Sequence, residues 1–160
     1  MTPTPTEFVQ RLDEQQQTLL RLLGEPNLSD LDRRPAPEVW SAREHLAHLG
    51  RYHEIFRQRL TQMRAEDAPS LGRYRAPDDP GFAAWAALPY ADIMTRLTRV
   101  RAQLSDDVSS LAPHELSRTG SHPLLGQVSI AGWLDFFLVH EAHHHYTLVI
   151  RMHELSSRGT

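Results

Sequence analysis

The sequence predicts an all-α protein, a four-helix bundle with two long inter-helix connections. Three observations predict it. Long stretches carry apolar residues at three- and four-residue spacing, helix-start signatures stand just ahead of them, and the strict apolar–polar alternation of strands is scarce. Four helices of similar length, each with one apolar face, pack most simply as a bundle. A chain of 160 residues is expected to form one domain, 1–160. At that size it buries roughly 70% of the surface its unfolded form exposes, enough for one core.

The first helix opens on a capping box, Thr4 with Glu7, and places Pro5 at its first helical position. Phe8, Leu12, Leu19, Leu22 and Leu23 form a broken apolar stripe, and Gly24 and Pro26 end it. A loop with Pro35 and Pro37 leads to the second helix, where Ser41 and Glu44 form another capping box and Trp40 stands as a hydrophobic staple. Its inward stripe reads His45, His48 with Leu49, Tyr52, Ile55 with Phe56, Leu60 and Met63. A long connection, 66–88, follows, with a short helix expected at GFAAWAAL. The third helix turns Ile93, Leu97, Val100, Leu104, Val108 and Leu111 inward and closes at Pro113. After a second connection, the fourth helix covers roughly 129–155 with Ser129 as N-cap; its stripe reads Trp133, Phe137, His140, His144, Leu148 and Met152.

Composition excludes several function classes. Net charge is −3 and the arginines are interspersed with acids, so no basic stripe points to nucleic acid. There is no cysteine, which removes disulfides, thiolate ligands and a cysteine nucleophile together. No apolar run is long enough to span a membrane, and the start MTPTPTEF lacks the regions of a signal peptide. A soluble cytoplasmic protein is expected.

The unusual feature is ten histidines, five of them between His140 and His153. His140 and His144 are one helical turn apart, differ by about 40° around the axis, and interrupt the apolar stripe of the fourth helix. His48 interrupts the stripe of the second. Burying three imidazoles together leaves several ring nitrogens in need of partners. A divalent metal satisfies them, and three histidine ligands leave a coordination position open, as in catalytic sites. A histidine on an apolar face is by itself more often a hydrogen-bonded core residue, and the three together bring the two readings level. His45 competes with His48 but sits in the first turn, where contact with Trp40 explains it. His53 is expected at the surface, and His143 and His145 at helix margins or in solvent.

His140, Glu141 and His144 match H-E-x-x-H, the zinc helix of metalloproteases. The rest of that machinery is missing. Thr147 and Ile150 stand where the longer motif has Gly and His, and the only downstream glutamate, Glu154, lies on the same helix, about 15 Å from His144. No sheet is expected to hold a peptide. A metalloprotease is therefore not expected, and the third ligand must come from upstream.

The early WSAREHLAHL and the late RTGSHPLLGQVSIAGWLDFFLVHEAHH together resemble the DinB-like family of metal-binding four-helix bundles, from about Phe8 to Met152. The resemblance implies a divalent metal held by His48, His140 and His144. It further implies a link to low-molecular-weight thiols of the bacillithiol, mycothiol or glutathione type, with an S-transferase activity on a small electrophilic substrate, and homodimers. The metal, zinc or nickel, would lower the pKa of the bound thiol. A non-catalytic metal-binding stress-response module is the alternative, and a purely structural bundle a third reading. Among supporting residues, Glu141 is a candidate partner or base, although its angle turns it away from the histidine pair, and a solvated or interface carboxylate is the plainer reading. Arg118 and His122, before the fourth helix, are candidates to meet a ligand carboxylate. Tyr52 lines a pocket or serves the core.

Overall fold

The computed structural model describes the backbone of residues 3–156 and the side chains of residues 3–154, so the outermost residues of the expected 1–160 domain lie outside the described residues. Four long helices dominate: α1 (Pro5–Leu23), α3 (Ala42–Ala65), α5 (Tyr90–Ser109) and α6 (Ile130–Ser156). Two short helices, α2 (Leu28–Asp32) and α4 (Pro80–Ala86), sit in the connections, α4 where GFAAWAAL is read as helical. Both expected capping boxes form. The Thr4 hydroxyl accepts from the Glu7 N–H at 3.2 Å while Glu7 accepts from the Thr4 N–H at 2.6 Å, and Ser41 and Glu44 do the same for α3 at 3.2 and 2.9 Å. Ser129 accepts from the Gly132 N–H at 3.1 Å and so starts α6.

α3 and α1 each pack against both α5 and α6. Helices consecutive along the chain, α1 then α3 and α5 then α6, therefore stand at opposite corners, and only the α3–α5 connection links neighbours. The core divides into two apolar halves. One gathers Phe8, Leu12, Phe56, Leu60, Leu104, Trp133 and Phe137, and the other Leu19, Leu46, Leu49, Trp85, Ile93, Leu97 and Leu148. Between them each long helix places a polar residue inside: Gln16 from α1, His48 and His53 from α3, Arg101 from α5, and Glu141 and His144 from α6.

The expectation of no sheet is corrected. β1 (Thr119–His122) and β2 (Gly126–Ser129) pair antiparallel, His122 opposite Gly126. The strands are four residues long, TGSH and GQVS, with too little apolar alternation to read in sequence. Gly126, at φ +68°, takes the left-handed position that closes the turn. Ser121 exchanges backbone hydrogen bonds with Pro69 and Leu71, which ties the hairpin to the α3–α4 connection.

His53 is also corrected, from surface to fully buried. α3 is flanked by α5 and α6, so a second face is covered, and the His53 ring N–H donates to the Leu49 carbonyl one turn back at 2.6 Å.

Candidate metal centre

α3 and α6 bring His48, His140 and His144 together, so that one ring nitrogen from each lies within 4.8 Å of the others. The Nε2 atom of His140 stands 3.2 Å from Nε2 of His48 and 3.2 Å from Nε2 of His144. Tetrahedral ligands about 2.0–2.1 Å from one ion are roughly 3.3 Å apart. The donor set thus fits a divalent ion of the kind that imidazole nitrogens bind.

The rings are held neutral, as ligands must be. Burial, then repulsion from His140 and His45, lowers His48 to about 3. Burial lowers His140 to about 4, and His144 lower still, with the other rings adding to the effect. A lone pair on the Nε2 of His144 requires its proton on Nδ1, which faces Nδ1 of His45 at 2.9 Å. His45 Nδ1 then accepts the hydrogen bond, so the residue set aside as a staple also orients a candidate ligand. Its contact with Trp40 is present too, edge-on at 5.4 Å. Nδ1 of His48 and of His140 are buried without a hydrogen-bond partner among the described residues.

The three rings open onto a cavity of about 340 Å³. Its walls are mainly aromatic, with Trp40, Tyr52, Tyr74, Trp133 and Phe136 contributing. Tyr52 packs on His140 with ring centroids 4.2 Å apart, and His122, on β1, meets Trp133 edge-on at 5.4 Å. A wider groove of about 710 Å³ runs along α1 but is lined by that helix alone and holds no histidine.

Two expectations change here. Arg118 does not reach the cavity: its guanidinium donates to the carbonyls of Met63 at 2.7 Å and Glu66 at 2.8 Å. These lie at the end of α3, where the last turn leaves acceptors unpaired. Arg59 and Arg73 line the cavity instead. Arg59 was legible in principle, since it lies eleven residues after His48 and only about 20° from it around the helix. Arg73 comes from a connection and has no periodicity to reveal it.

Glu141 is neither solvated nor at the metal candidates. It is 1% exposed and faces away from the cavity, paired with Arg101, accepting from Gln15 at 2.6 Å, with Nε2 of His53 3.6 Å away. Burial alone would raise its carboxyl, but Arg101, His53 and His145 more than offset that and hold it below the usual range. The H-E-x-x-H glutamate is here an internal counter-ion.

Residues 11–148 match the model of the DinB superfamily. The protein YuaE of Bacillus subtilis (strain 168), itself uncharacterized, is 29% identical over 132 residues, which span 73% of this chain and 81% of YuaE. Among solved structures, YfiT from Bacillus subtilis is described as a probable metal-dependent hydrolase with an unusual four-helix bundle topology. It is similar at a TM-score of 0.72 and 20% identity, over 96% of this chain and 86% of YfiT. TT2238, described as a four-helix bundle protein, is similar at a TM-score of 0.66 and 25% identity, over 91% of this chain and 98% of its own. The fold is theirs, the histidine triad can hold an ion, and the family model spans most of the sequence: this chain belongs to the DinB superfamily.

Proposed function

We propose that this protein is a metal-dependent enzyme that binds a low-molecular-weight thiol and transfers it to a small electrophile. The observation that carries the reading is the convergence of three neutral imidazole Nε2 atoms on the wall of an aromatic cavity. His48, His140 and His144 would hold the ion, and His45 would keep the His144 ring in the required tautomer. A bound divalent ion supplies Lewis-acid charge that lowers the pKa of a thiol or water in its open position. The chain has no cysteine, so a sulfur nucleophile has to arrive as a ligand. Trp40, Tyr52, Trp133 and Phe136 exclude water from the approach and present flat apolar faces to a substrate.

The description of YfiT supports a second reading, in which water takes the place of the thiol and the reaction is hydrolysis. Metal analysis of the purified protein tests the shared premise. About one zinc or nickel ion per chain is expected, lost in His144→Ala and retained in His143→Ala, whose ring is exposed. No bound ion in the wild type would end both readings. A panel of cellular thiols with epoxide and halide acceptors, run beside a panel of esters and amides, then separates transfer from hydrolysis. Metal binding with neither activity would favour the non-catalytic stress-response module.

A further inference from the structure

We propose that the end of this cavity remote from the histidine triad is an anion-binding subsite, built by Arg59, Arg73 and His122, that seats the carboxylate or phosphate of a substrate with a flat apolar body. The inference rests on the reading of the triad as the reactive end.

The charge inventory is the first observation. Most arginines of the chain meet a carboxylate within 4 Å, Arg51 with Asp79, Arg57 with Asp107 and Arg101 with Glu141 among them. Among the described residues Arg59 and Arg73, like Arg21 and Arg99 elsewhere, meet none, although the chain has 20 acidic residues and a net charge of −3. Both line the same cavity, and no aspartate or glutamate does. The end of the cavity that carries Arg59 and Arg73 is therefore positive in an acidic protein, unsuited to a cationic head group.

Geometry is the second. Arg59 is held in place: its guanidinium carbon lies 5.2 Å from the Trp133 ring, it donates to the Gly72 carbonyl, and it meets the Tyr52 hydroxyl. Two such contacts leave further N–H donors of the fork for an oxyanion. The Nδ1 atom of His122 accepts from the Leu124 N–H at 3.2 Å, which puts its ring proton on Nε2 as a neutral donor. Burial and the charges of Arg59 and Arg73 both lower its pKa, which places all three side chains in one electrostatic neighbourhood.

Distance is the third. Trp133, on which Arg59 stacks, precedes His140 by seven residues on α6, about 10 Å along the axis. The anion and the reacting group of the ligand are thus at opposite ends of one molecule, with Phe136 and Tyr52 lining the span between them.

The test uses calorimetric titration of the purified protein with ω-phenylalkanoates of graded length, their neutral amides and the matching alkyl phosphates, with and without added zinc. At the best length the carboxylate or the phosphate is expected to bind at least about tenfold more tightly than the amide, and which of the two wins identifies the head group. Arg73→Gln, which removes an exposed side chain, should cut that preference severalfold, and Arg59→Gln with Arg73→Gln should abolish it, with metal stoichiometry unchanged. Equal affinity for acid and amide, or an undiminished preference in both variants, would overturn the subsite. The readout does not depend on a bound ion. Anion preference without metal binding would sink only the metal reading, and metal binding without anion preference only this one.

Discussion

At the scale of single residues, Glu141 shows how position on a helix overrides a motif. It sits between two histidines that face the cavity, yet its side chain turns to the opposite flank of α6, towards Arg101 and Gln15. Arg101 is 3% exposed, so removing its counter-charge leaves a buried cation uncompensated. Glu141→Gln is expected to lower the unfolding free energy by about 3–5 kcal/mol while the protein still binds its full complement of metal. Urea denaturation and metal analysis of the same sample check this. Loss of metal at unchanged stability would return Glu141 to the metal site. Sequence alone identified the angle of Glu141 correctly but not what covers it, because a helix wheel gives directions and not neighbours.

At the scale of elements, α3 is positioned by a close approach that the apolar pattern does not record. A Cβ on Gly50 would overlap the Trp85 ring, so α4 lies directly on the α3 backbone there. His48 and Tyr52 flank Gly50 in sequence and project from the opposite face of the same stretch of α3. Gly50→Ala is expected to force α4 outward and cost about 1–3 kcal/mol, the usual range for overpacking. In a domain of this size each kcal/mol lowers Tm by about 2–4 °C, which differential scanning calorimetry resolves. An unchanged Tm would mean that α4 moves freely. The four long helices were legible because capping boxes and three–four spacing are local, whereas the five-residue α2 lies in a stretch that reads as a loop. The β1–β2 hairpin was not, because its two short strands take their stability from pairing with each other and from the backbone around Pro69 and Leu71.

At the scale of the whole molecule, a polar layer divides the core, and its histidines are neutral only because the bundle buries them. His45, His53 and His140 are lowered to about 4 and His48 to about 3, with burial the largest cause in each. In the unfolded chain the same rings titrate near 6.5. As pH falls from about 6.5 towards 4, the unfolded state takes up protons that the folded state refuses, so stability falls with pH. The metal-free protein is expected to keep its full stability above about pH 7 and to show a lower unfolding midpoint at pH 5, followed by circular dichroism. Equal midpoints would mean that the rings are already charged in the folded protein. Bound metal competes with those protons and should move the loss to lower pH.

The four long helices, the capping boxes of α1 and α3, the Ser129 cap and the inward placement of His48, His140 and His144 were all set by sequence, since each follows from periodicity and neighbours a few residues away. Tertiary structure alone decided which corner each helix takes, that His45 meets His144 from another helix, and that Arg59, Arg73 and His122 share one wall. Those contacts join residues far apart in the chain. Whether two such side chains meet depends on how connections cross the bundle, and a pattern of residue types along one helix holds no information about that.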